Sequence, residues 1–164
     1  MSSVSITAGT GYALAGSGGG GGSTDALTVY ASGIAGEAIA AGDALRFDRS
    51  GTGTAGRLLR ARGLSATGGV EADVAGVAKT PAAGAGSAIT YYLIGDVPIT
   101  LDAAPAASTY GSRVFLSPSA AGRGTLTVPT NDGEAVTFLG FLTGADGAST
   151  SPTCVLRPAL IALL

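Results

Sequence analysis

The sequence predicts a mainly β protein of two similar modules sharing one core, preceded by an extended N-terminal arm. Three observations carry that prediction. The apolar residues recur with the short period of strands and are bounded by Gly, Pro, Asn and Asp. One pattern of glycines and strands occurs twice in the second five-sixths of the chain. A run of glycines, Ser17-Gly-Gly-Gly-Gly-Gly-Gly-Ser23, separates the first residues from everything after Asp25.

The arm and its linker occupy residues 1–25. Glycine loses the most conformational freedom on ordering and offers no side chain to bury, so residues 17–23 read as a flexible tether. Ahead of it stand Val4, Ile6, Tyr12 and Leu14. A merely frayed terminus has no need of such apolar residues, so the arm reads as a tethered peptide that docks elsewhere.

The first module spans residues 26–103. Its strand candidates are Leu27–Tyr30, Ala44–Phe47, Val74–Ala78, Ile89–Ile94 and Val97–Leu101. Ala31–Ala41 has room for one or two helical turns, with Gly33 and Gly36 against them. The second module spans residues 104–164, with candidates Arg113–Leu116, Thr125–Val128, Ala135–Leu142 and Thr153–Leu156. Asn131-Asp-Gly133 is a hairpin-type turn between the second and third of these. The repeat lies in Gly42–Gly51 against Gly111–Ser119, and in Val74-Ala-Gly-Val-Ala78 against Phe138-Leu-Gly-Phe-Leu142. Both pairs stand at nearly the same spacing, and each copy runs glycine, strand, turn, strand, then apolar-Gly-apolar.

Composition narrows the function. The chain has 164 residues, 28 glycines, no histidine, no tryptophan and one cysteine, and only 5% of it is aromatic. Ala and Gly bury little area, so at about 25 cal/mol per Å2 their core is thin and needs support from partner subunits or a larger surface. A single Cys154 excludes an internal disulfide and reads as a small core residue; no cofactor or metal is expected. Without histidine the usual general base is missing, and the carboxylates are scattered, with Asp43/Asp48 and Glu71/Asp73 among the few close pairs. An enzyme is not expected. A net charge of -2 argues against nucleic acid as a partner. No run is long and apolar enough for a membrane span, and no secretory signal is readable, so synthesis in a cytoplasm is expected.

Two local features remain. Gly51-Thr-Gly-Thr-Ala-Gly56 matches the spacing G-x-G-x-x-G. A dinucleotide site needs a buried strand before it and a helix opening at the last glycine, and Gly63 stops any helix here within two turns. These glycines are expected to turn a hairpin. Around them lie Arg46, Arg49, Arg57, Arg60 and Arg62, five of the nine cations. They form either a solvated face or an interface for carboxylates on another protein, a task to which arginine is suited; nucleic acid comes third, since Phe47 is the only aromatic residue interleaved with them.

Ala41-Gly-Asp-Ala-Leu-Arg-Phe-Asp48, Val74–Gly86, Gly111-Ser-Arg-Val-Phe-Leu116 and Thr125–Leu142 together resemble a recurrent β module of tailed-bacteriophage structural proteins. That module is found in capsid decoration (cement) proteins and in head or tail fibres. The resemblance implies a small β-barrel or β-sandwich, no catalysis, and a homo-oligomer, typically a trimer, that clamps the major capsid protein on the virion surface. It also implies that the arm lies along the shell or exchanges with a neighbour. The absence of a long repetitive shaft favours decoration over fibre. The alternative is a fibre or tail-tip module that binds a host receptor or carbohydrate through Tyr91, Tyr92 and Tyr110. An enzyme acting on cell envelopes comes third.

Overall fold

A computed structural model describes residues 5–6, 12–15, 28–50, 53–65, 69–106, 109–144 and 150–164. Among these residues eleven strands run in chain order: β1 (Ser5–Ile6), β2 (Tyr12–Ala15), β3 (Thr28–Ile34), β4 (Ala44–Phe47), β5 (Leu58–Arg60), β6 (Gly76–Ala78), β7 (Ala88–Pro98), β8 (Arg113–Leu116), β9 (Gly124–Thr125), β10 (Ala135–Gly144) and β11 (Thr153–Leu163). A 3-10 turn at Val70–Ala72 is the one helical element described from end to end, and Thr109 has 3-10 geometry as well. The fold is mainly β, one sheet curled into an open half-barrel.

Every strand-to-strand pairing in the sheet is antiparallel, and one order occurs twice. In the first half β5 pairs with β4, β4 with β6, and β6 with β7. In the second half β9 pairs with β8, β8 with β10, and β10 with β11. The halves meet where Gly95–Pro98 of β7 pair with Thr153–Leu156 of β11. Strand β3 lies along the first part of β7, from Val29↔Ile94 to Ile34↔Ala88.

Two apolar clusters form. The larger joins both halves: Ala44, Val77, Val97 and Ile99 pack with Val114, Leu116, Leu139, Leu142, Cys154 and Leu156. The smaller belongs to the first half, where Leu45, Leu58, Ala78, Ile89 and Tyr91 meet Ala31, Ala35, Ile39 and Ala82. Ala31–Ala41 does not form the helical turns it has room for, in line with Gly33 and Gly36 standing against them. Its backbone is spent on other strands: the Ala35 N–H donates to the Ser87 carbonyl at 2.9 Å, and Ile39 and Ala82 exchange bonds at 2.9 Å. Ala31 and Ala35 are thereby turned into the core.

Small residues set the distance between strands. A Cβ on Gly76 would collide with the Tyr92 carbonyl oxygen, and one on Gly140 with the Val155 carbonyl oxygen. These are the central glycines of the two apolar-Gly-apolar motifs, and each lies under the strand that its own strand pairs with. Gly84 has open space around it. Gly76→Ala and Gly140→Ala are each expected to cost about 3 kcal/mol, the upper part of the usual overpacking range, because rigid backbone cannot yield. Gly84→Ala should stay within about 0.5 kcal/mol of the parent. Denaturant unfolding of the three variants checks this; equal midpoints would remove the close approach as a constraint.

Candidate functional site

The G-x-G-x-x-G stretch closes a hairpin. Strand β4 is followed by Asp48, whose carboxylate takes the donors a phosphate would need. Ser50 N–H donates to Asp48 Oδ1 at 2.9 Å, and the Thr54 hydroxyl donates to Oδ2. The Gly56 N–H donates to the Asp48 carbonyl at 2.9 Å, and the Arg57 N–H to the Thr54 carbonyl at 3.0 Å. The Thr54 hydroxyl first, then the Ser50 N–H, holds the Asp48 carboxyl below its ordinary range. The chain then enters strand β5, not a helix, so no helix N-terminus faces the loop.

The five arginines are separated by this hairpin rather than gathered. Arg49 pairs with Asp73. Arg60 reaches Glu37, with 3.2 Å between Nη2 and Oε2, while the Arg60 N–H donates to Glu37 Oε1 at 2.7 Å. Arg62 Nε donates to the Pro118 carbonyl at 3.0 Å. Arg46 and Arg57 make no ion pair among the described residues. Arg46 is half-buried on β4, and its Nε has no hydrogen-bond acceptor among the described residues. Val4 lies outside the described residues. Ile6 is in β1, and Tyr12 and Leu14 are in β2, which pairs with β3 through Ala13↔Tyr30, Leu14↔Val29 and Ala15↔Thr28.

Arg57 lines an open cleft of about 490 Å3, together with Phe47, Tyr91, Ala55, Gly56 and residues 31–34 of β3. Phe47 is 42% exposed and meets Tyr91 edge-on at 6.5 Å and 84°. Its lining brings one arginine and two aromatic residues together with small residues. Sequence spacing could not reveal it, because its walls come from β3, β4, β7 and the β4–β5 turn. The one legible sign is an aromatic residue, Phe47, beside a cluster of arginines.

Of the three tyrosines considered for a sugar site, Tyr91 is buried in the smaller cluster. Tyr92 is half-buried, with the Lys79 ammonium 5.7 Å from its ring and 4.3 Å from that of Tyr30. Tyr110 alone is open, at 73% exposure. The sole cysteine, Cys154, is buried beside the β7–β11 seam, and burial, with the Asp96 charge adding, pushes its thiol up to about 12.

Asp43, from the Gly-Asp pair at the start of β4, is buried under Gly122. Its Oδ2 accepts the Ala40 N–H at 2.9 Å, Oδ1 has no hydrogen-bond partner among the described residues, and Arg123 Nε stands 3.9 Å from it. Burial raises its pKa above the ordinary carboxylate value, against the lowering by the Ala40 bond and Arg123. A raised folded-state pKa means the native state holds the proton more tightly. Stability from this group is therefore full below the unfolded value, near 4, and is lost as pH climbs through the folded value.

Comparison of the chain with protein-family models, with curated proteins and with solved structures gave no match.

Asp43→Asn keeps an acceptor for Ala40 and cannot ionise. Its unfolding midpoint, measured against the parent by thermal melts, should gain as pH rises above the unfolded carboxyl value and level off once the folded-state carboxyl has ionised. A difference that does not change with pH above the unfolded value would refute a raised ionisation at Asp43.

Proposed function

We propose that this chain is a virion structural protein that binds the outer surface of a tailed-phage capsid and stabilises the shell. Its partners in this reading are the major capsid protein and further copies of itself. Phage-type β modules suggest the reading, and the observation that carries it is the sheet edge at β3. That edge takes a strand, β2, through three register positions, and the strand comes from the arm ahead of a glycine-rich connection. Main-chain pairing of this kind is indifferent to which chain supplies the strand, so the same edge can hold its own arm or a neighbour's. On a lattice, many copies at high local concentration make such small contacts add up. The Phe47–Arg57 cleft supplies a second contact, in which Arg57 meets a capsid carboxylate.

A receptor-binding module at a fibre or tail tip is the second reading, and the open ring of Tyr110 is what favours it. With Tyr91 buried and Tyr92 half-buried against the larger cluster, it has one fully open aromatic platform rather than three.

Cosedimentation with undecorated cognate capsids tests both. The intact chain should pellet with the capsids. Deletion of residues 2–16 should weaken occupancy by tenfold or more, and Arg57→Glu should weaken it by a smaller factor. Unchanged occupancy after the deletion would reject the arm's role. No binding by the intact chain, together with a specific signal on a glycan array, would replace the first reading by the second.

A further inference from the structure

Four residues stand in one row across four strands of the second half. Arg113 of β8 is opposite Phe141 of β10, Phe141 is opposite Val155 of β11, and Val155 is opposite Asp96 of β7. Direct cross-strand partners share a face, so these four side chains leave the sheet on the same side. Their neighbours Leu142, Cys154 and Val97 take the other side and are buried in the larger cluster. At about 4.8 Å per strand the row is about 14 Å long. It has a cation at one end, an anion at the other and an apolar centre.

The first half contains the same row. Ala44, Val77 and Tyr92 are cross-strand partners on β4, β6 and β7, and Val77 follows Gly76 as Phe141 follows Gly140. There the row is covered: Ala44 and Val77 are fully buried against Val114, Leu139 and Leu142 of the second half, and Tyr92 packs on the same cluster. So within this chain the row is seen to take an apolar β-sheet as its cover. In the second half it is open, with Phe141 40% exposed and Ile94, two residues before Asp96, 54% exposed. The Phe141 ring is set edge-on against Phe138 at 5.0 Å, which is set in turn against Phe115 at 6.2 Å. It is a fixed aromatic surface, the kind that loses little entropy on docking.

We infer that this face pairs with the same face of a second copy across a two-fold axis, Phe141 and Val155 at the centre and Arg113 of each copy against Asp96 of the other. The charges decide the occupant. A row that ends in opposite signs is complementary to itself when reversed, which is the requirement of an isologous contact. Arg113 makes no ion pair among the described residues. Asp96 accepts the Thr143 hydroxyl through Oδ1 at 2.6 Å, and its other oxygen takes no hydrogen bond among them. The arrangement gives a dimer, where the phage resemblance implies a trimer.

Sedimentation equilibrium of the full chain at low salt should give twice the 15.7 kDa chain mass. Arg113→Asp and Asp96→Arg each set like charges against each other and should weaken the dimer at least tenfold, with unchanged circular dichroism and melting. The double variant restores both pairs and should recover the association. An equimolar mixture of the two single variants should associate more tightly than either alone. A parent that stays monomeric or forms trimers would overturn the inference, as would single reversals without effect or a double variant that does not recover. Capsid cosedimentation is a separate readout: a dimer that ignores capsids leaves this contact standing and removes only the proposed function.

Discussion

The closeness of the strand backbones at Gly76 and Gly140 governs the rest of this molecule. At both points a neighbouring strand's carbonyl occupies the space a side chain would need. With few bulky residues available, the chain gains cohesion by bringing backbone against backbone and filling the residual space with Val, Leu and Ala. The larger cluster can then be thin and still continuous, because the sheet curls both halves around it. The same economy leaves no spare apolar layer for the outer face of the second half, and Phe141 and Ile94 stay partly in solvent.

Much of the strand pattern is legible because short strands in this chain are bounded by glycines. Ala44–Phe47 and Arg113–Leu116 are found where the sequence places them. The longer strands are harder to read. Gly95 and Pro98 suggest a break, yet β7 runs from Ala88 to Pro98, since one edge changes partner there from β3 to β11. Arg157-Pro158 suggests the end of a strand at Leu156, but β11 continues to Leu163. Those two residues fall between the pairs Gly140↔Leu156 and Phe138↔Ala159, in a bulge where proline's missing N–H costs no ladder bond. Thr125–Val128 has the pattern of a full strand and is paired only through Gly124–Thr125.

The arginine cluster shows a different limit. Five cations within seventeen positions look like one patch, but a hairpin sends neighbouring side chains to opposite faces. Arg49 and Arg60 are taken by Asp73 and Glu37, and Arg62 by a carbonyl from the second half. Which acids meet which arginines depends on contacts across tens of residues, and no local rule supplies those. By contrast, the sense of G-x-G-x-x-G is local: Asp48 just upstream takes the donors, and an early Gly63 leaves no helix.

Cys154 has a practical consequence. Its thiol is enclosed at the seam where β7 and β11 join the two halves, and it is held in the unreactive protonated form. Alkylating reagents can reach it only while that seam is parted. The molecule therefore carries a built-in stopwatch: the rate at which a maleimide dye attaches times how often the halves come apart, with no engineered probe and no second cysteine to confuse the signal.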